Sequence, residues 1–146
     1  MVFFQPLNFV QQQEVFDKVR EIVNNVSEIG MIVVDSISML YRLELGVSES
    51  IFETNGSLAR QIALLVEIAR SKKIPVIITN QVYADFAKKD NVKMVGGDLL
   101  KYGSKCLLEL IREDDVRQVF LRKHRYVGCG DGFKFNIINS GIEKVE

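Results

Sequence analysis

Two apolar runs, Met31-Ile32-Val33-Val34 and Pro75-Val76-Ile77-Ile78-Thr79, constrain the fold more than any other feature of the chain. Both are short and rich in β-branched side chains, the pattern of strands covered on both faces. Between them, Leu58, Ile62, Leu65, Ile68 and Ala69 recur at helical spacing over Ser57 to Lys72, with Thr54 or Asn55 as expected N-caps. Strand, helix, strand at this separation predicts a parallel pair with a right-handed crossover. Ligands of such sheets bind beyond the carboxyl ends of the strands. That rule singles out Asp35-Ser36 and Asn80-Gln81.

The flanking sequence completes an α/β pattern. Val2-Phe3-Phe4, closed by Gln5-Pro6, predicts another buried strand. A helix fits from about Phe9 to Val26, with Val15, Val19, Ile22, Val23 and Val26 as its apolar stripe. The mixed, polar stretches 41–56 and 83–97 read as loops. Further on, Lys105–Ile111 and Val116–Lys123 flank the turn Arg112-Glu113-Asp114-Asp115, and a glycine-rich turn from Gly128 to Gly132 leads into Phe133–Ile138. There Phe133, Phe135 and Ile137 alternate with polar residues, and Gly141 marks a last turn. The expected architecture is a central, mostly parallel sheet flanked by helices and extended by C-terminal antiparallel edge strands, in one domain over residues 1–146.

Composition narrows the function classes. Nineteen Lys and Arg balance nineteen Asp and Glu, which argues against a uniformly basic nucleic-acid binder while allowing a local patch. Cys106 and Cys129 are the only cysteines, without metal spacing, and read as free thiols of a reducing compartment. No apolar stretch approaches the roughly 18 residues that span a bilayer, and no basic and apolar leader opens the chain. A soluble, cytoplasmic protein is expected.

Three motifs carry the candidate chemistry. Met31 to Asp35 fits a Walker B pattern: a rigid strand whose terminal carboxylate holds a magnesium-bound water. An Asp that caps a following turn looks the same in isolation. Gln81 is a strand-end amide, suited either to sensing a phosphate or to satisfying local backbone. Lys123-His124-Arg125 ends a predicted edge strand, where a solvated basic cluster is ordinary. His124 has no carboxylate or cysteine partner in the sequence, so neither metal ligation nor general-base catalysis is expected of it. A G-x-x-x-x-G-K-[ST] loop does not occur; Gly97 through Gly103-Ser104-Lys105 has the wrong spacing and order.

The succession of these features resembles the archaeal RecA/RadA recombinase family, and one of its paralogue branches most closely. It runs from Phe3-Phe4-Gln5-Pro6 through Asp35-Ser36, Tyr41-Arg42-Leu43-Glu44, Ser57-Leu58-Ala59-Arg60-Gln61, Thr79-Asn80-Gln81-Val82, Gly96-Gly97 and Lys123-His124-Arg125. The resemblance implies a RecA-like P-loop NTPase core and a DNA repair and recombination ATPase that uses ATP and magnesium. It makes Gln81 a phosphate sensor, Asp35 the magnesium carboxylate with Ser36 beside it, and Lys123 and Arg125 nucleotide contacts, in trans from a neighbouring subunit. Segments 41–56 and 83–97 become DNA-facing, with Arg42, Arg60, Lys88, Lys89 and Lys93 as phosphate contacts and Tyr83 or Phe86 available to stack on a base. Single-stranded DNA binding is then expected to be modest and salt-sensitive.

In the resembled family the phosphate loop and the water-activating carboxylate lie upstream of the Phe3-Phe4 strand. The expectation is therefore a truncated core that neither binds ATP tightly nor hydrolyses it alone, and that self-associates through uncovered apolar surface. The competing expectation is a non-catalytic module that contacts a RadA-type recombinase or another repair protein.

Overall fold

The computed structural model describes residues 1–84, 92–113, 116–130 and 132–145. They form two compact units, Met1–Gly103 and Ser104–Glu146.

In the first unit, α1 (Phe9–Asn25) starts at Asn8, whose side chain accepts the Gln11 N–H at 2.9 Å. The Gln11 side chain in turn accepts the Leu7 N–H at 2.8 Å, a reciprocal arrangement close to a capping box. Its buried line is Phe9, Gln12, Phe16 and Val23, whereas the expected valine stripe is only partly used and Val26 is exposed. Aromatic rings at seven-residue spacing bury more area than the valines between them, and they decide which face turns inward. Val2-Phe3-Phe4 is not a strand. No described strand pairs with it, and Phe3 is exposed, so its backbone has no ladder to join.

The central prediction of a parallel pair is met. β1 (Ile32–Val34) and β2 (Val76–Ile78) run parallel, with Ile32 opposite Val76 and Val34 opposite Ile78. Those four side chains pack on the core formed by Phe9, Phe16, Ile37, Leu40, Leu58, Ile62 and their neighbours. The other face is open: Val33 and Ile77, opposite each other, are 60% and 49% exposed. Coverage of both faces is thus not found, because the helices of this unit share one core cluster on a single side of the pair.

The stretch expected as a loop from 41 to 56 is largely helical, with α2 (Met39–Leu45) and the first turn of α3 (Ile51–Ser71). Ser50, not Thr54 or Asn55, caps α3 by accepting the Glu53 N–H at 3.2 Å. Thr54 instead donates back to the Ser50 carbonyl at 3.1 Å, and Asn55 accepts the Tyr41 hydroxyl at 2.5 Å. The expected stripe of Leu58, Ile62, Leu65 and Ile68 is buried. The stretch from 83 to 97 also has structure: β3 (Val82–Ala84) pairs antiparallel with β4 (Val92–Met94), placing Tyr83 opposite Lys93. α4 (Gly97–Gly103) follows and buries Leu100. Lys88, Lys89 and Phe86 lie outside the described residues.

The second unit is an antiparallel meander in the order β5 (Leu107–Glu113), β6 (Val116–Lys123), β7 (Gly132–Ile138) and β8 (Gly141–Val145). Gly141 opens this fourth strand, which the sequence reading treated only as a turn. Cross-strand pairs Leu110–Val119, Val119–Phe133 and Ile137–Ile142 place their side chains on one sheet face, together with Phe135. Phe135 is buried, but Leu110 and Ile142 are each 71% exposed. Gly132 sits opposite Phe120, where a Cβ would come within 2.5 Å of the Val119 carbonyl oxygen. Parallel and antiparallel pairing thus both occur, as the fold class requires, in separate ladders among the described residues.

Candidate functional site

The carboxyl ends of β1 and β2 bring the two polar tips to one rim. The Thr79 N–H donates to the Val34 carbonyl at 3.0 Å, and the Ile37 N–H to the Thr79 carbonyl at 3.2 Å, carrying the parallel register past the last apolar residues. Asp35 emerges there, exposed, with one carboxylate oxygen accepting the Thr79 hydroxyl at 2.6 Å. That donor orients the carboxylate and leaves its second oxygen to solvent. Ser36 is half-buried beside it.

Gln81 stands on the neighbouring tip with both backbone groups engaged. Its N–H donates to the fully buried Ser38 hydroxyl at 3.3 Å, and its carbonyl accepts the Val95 N–H at 3.0 Å. Asn80 returns a side-chain N–H to the Val95 carbonyl at 2.9 Å. Beneath the rim, the Gln12 amide nitrogen donates to the Ile37 carbonyl at 3.2 Å and to the Gln61 side-chain oxygen at 2.7 Å. Gln12 and Gln61 are each 4% exposed, so an amide pair holds the turn that follows Asp35 from inside the core. Thr79, Ser38, Gln12 and Gln61 were absent from the sequence-based site. Thr79, next to Asn80-Gln81, and Gln61, at the end of Ser57-Leu58-Ala59-Arg60-Gln61, lay in motifs that gave a usable signal.

The other candidates divide by position. Arg42 is exposed in the last turn of α2, and Arg60 is exposed on α3. Lys93 is exposed on β4 opposite Tyr83, itself 48% exposed, which sets a cation and an aromatic ring side by side. Lys123 and Arg125 belong to the second unit. The Lys123 ammonium donates to the Ser104 carbonyl at 2.8 Å, and Arg125 is exposed. His124 uses Nδ1 to accept the N–H groups of Tyr126 and Val127, at 3.2 and 3.1 Å, so its ring shapes the following turn. Tyr41, buried on the inner face of α2, has its phenol pushed above the ordinary tyrosine value by desolvation.

The donor set at the rim suits a hydrated divalent ion better than an all-protein cage. Asp35 offers a single carboxylate, and no group of three His, Cys, Asp or Glu side chains converges among the described residues. Gly96 and Gly97 adopt positive φ at the start of α4.

Comparison with known proteins adds independent observations. A family model described as Rad51 matches residues 3–143. A DNA repair and recombination protein RadB from Methanococcus maripaludis (strain C7) is 36% identical over 145 residues, a match covering 98% of this chain and 64% of the relative. The protein of the same description from Methanoculleus marisnigri is 35% identical over 146 residues, covering 99% and 63%. A solved structure described as the RadB recombinase superposes with a TM-score of 0.72 at 32% identity, covering 98% of this chain and 63% of that one. The chain thus spans somewhat under two thirds of the length of the proteins it resembles.

Proposed function

Because the chain belongs to the Rad51 family, we propose that it is the part of a RadB-type DNA repair and recombination protein that carries the magnesium carboxylate, the phosphate-sensing amide and a single-stranded DNA surface. The observation that carries this reading is the shared rim of Asp35 and Gln81, flanked in the same unit by Arg42, Arg60 and Lys93. Asp35, steadied by Thr79, would hold a water of a magnesium ion. Bound ATP supplies the phosphates whose charge that ion offsets. Gln81 presents a side chain that both donates and accepts, on a backbone held from two sides. Arg125, with Lys123, adds cationic charge toward a nucleotide of a neighbouring subunit.

The single carboxylate at the rim fits a hydrated magnesium ion, and the expected behaviour of the surface beside it is DNA binding. Arg42, Arg60 and Lys93 contact phosphates and not bases, which predicts modest affinity that falls steeply with salt. Fluorescence anisotropy with a labelled oligo-dT tests this. The apparent Kd should weaken at least several-fold between about 50 and 200 mM salt, and Arg42→Ala combined with Lys93→Ala should flatten the salt slope. Binding indifferent to both salt and these substitutions would remove the DNA reading.

A second reading gives the chain a binding role alone. On it, the scaffold serves as a non-catalytic contact for a RadA-type recombinase or another repair protein. Partner capture that survives Ala at both Asp35 and Gln81 would support the module over the nucleotide-dependent form. Cys106 and Cys129 are exposed free thiols, which supports a reducing, cytoplasmic setting. Among the described residues no helix is long and apolar enough to cross a membrane.

A further inference from the structure

One cross-strand row of the meander works against the stability of its own sheet. Arg112 on β5 stands opposite Arg117 on β6, Arg117 opposite Phe135 on β7, and Phe135 opposite Lys144 on β8. Directly opposed residues share a sheet face, so three cations and one ring cross all four strands in a line roughly 14 Å long. Like charges facing each other destabilise a ladder, and Arg112 with Arg117 is such a pair. Side chains alternate between the faces along each strand, which sends the carboxylates of Glu109 and Glu143 to the opposite face. Neither of them offsets the row.

Apolar side chains bracket the row on both sides. Leu110, Val119 and Phe133 form the next line on one side, and Ile137 faces Ile142 on the other. Leu110, Phe133, Ile137 and Ile142 are exposed, whereas Phe135 within the row is buried. The face therefore runs apolar, cationic, apolar, with about 6.8 Å between successive lines along the strands. In α/β architecture an open sheet face of this kind is covered by helices. Helix positions four apart share a face and lie about 6 Å apart along the axis, close to that spacing. A helix laid along β7 would pass over Phe135 with Arg117 on one flank and Lys144 on the other. These two strand neighbours of Phe135 are about 10 Å apart, the width of a helix.

We propose that this face docks an amphipathic helix of a protein partner, apolar at both ends of its contact line and acidic midway, at intervals of about four residues. Its carboxylates meet Arg117 and Lys144. Its apolar side chains cover Leu110 and Phe133 on one side of the row and Ile137 and Ile142 on the other. Charge complementarity selects this occupant. Nucleic acid would neutralise the row but leave Leu110, Ile137 and Ile142 without apolar cover. A second copy, docked about a two-fold axis through the row, would set cations against cations. Assigning the partner to recombination or repair rests on the binding role considered above, whereas the face rests on register and exposure alone.

A library of helical peptides displayed on phage and selected on the full chain tests this. Recovered sequences should carry apolar residues about seven or eight positions apart with acids between them. Selection on Arg117→Glu with Lys144→Glu should replace those acids by Lys or Arg at the same positions, a swap that a merely damaged surface would not produce. For a recovered acidic peptide, Arg117→Gln with Lys144→Gln should weaken binding roughly five-fold, the size expected of two exposed ion pairs. Leu110→Ala with Ile142→Ala should weaken it at least as much. Lys144→Gln alone, on the last strand, carries the test if changes at Arg117 unfold the chain. No recovered binder, binders without acids, or binding indifferent to these substitutions would overturn the proposal. Displacement of the peptide by oligo-dT would assign the face to nucleic acid, and oligomers dispersed by Lys144→Gln would assign it to a second copy; either result removes the helix. Partner capture that ignores Arg117 and Lys144 would leave the binding role standing and take this face out of it.

Discussion

At the scale of single residues, the most consequential pair is Gln12 and Gln61. Their amides are buried, Gln12 donates to both the Gln61 side-chain oxygen and the Ile37 carbonyl, and the Gln61 amide nitrogen has no partner among the described residues. Removing one member strands the other. Gln12→Leu is expected to cost about 1–3 kcal/mol in urea unfolding, and Gln12→Leu with Gln61→Leu should cost less than the sum of the singles. A strictly additive pair would show that the amides do not act together. Tyr41 gives a second residue-scale expectation. Burial raises its phenol pKa, so its contribution to stability is intact below the ordinary tyrosine value near 10. It is lost as pH climbs through the raised value, because the unfolded phenol ionises first. Ultraviolet titration should find one tyrosine ionising above the others in Tyr41-containing chain and none so displaced in Tyr41→Phe.

At the scale of elements, continuous apolar runs and long stripes were readable and mixed short pieces were not. β1, β2, α3 and the strands β5 to β7 follow from apolar runs and stripes, and Val116–Lys123 is found with the expected bounds. α2, β3, β4, α4 and β8 carry neither a long apolar stripe nor an uninterrupted β-branched run. Only local chemistry betrays such pieces. Ser50-x-x-Glu53 is one example, a capping sequence passed over in favour of Thr54 and Asn55. Ser50→Ala should cost about 1 kcal/mol, measurable as a lower midpoint in denaturant at unchanged slope; no change would mean that Thr54 carries the start of α3. The rim followed from a rule about strand ends, which is why Asp35 and Gln81 were legible. Its supports were not. Gln12 and Gln61 sit on faces that pattern reading assigns to apolar residues, and Ser38 is fixed by a bond 43 positions away.

At the scale of the whole molecule, two apolar surfaces stand open, Val33 with Ile77 on the parallel pair and Leu110, Ile137 and Ile142 on the meander. Exposed sheet faces of this kind drive association. Sedimentation velocity should show oligomers that persist on dilution, and Leu110→Lys with Ile142→Lys should shift the distribution toward monomer. A dilution-resistant monomer for the unsubstituted chain would count against that role for these faces.

Among the described residues, the groups bonded beneath the rim are amides, hydroxyls and backbone carbonyls. Such a scaffold has no proton to gain or lose across the neutral range. A change of pH that alters the charge of a bound polyanion would therefore leave these supports in place, and pH dependence in binding would report the ligand side of the contact and not a rearranged scaffold.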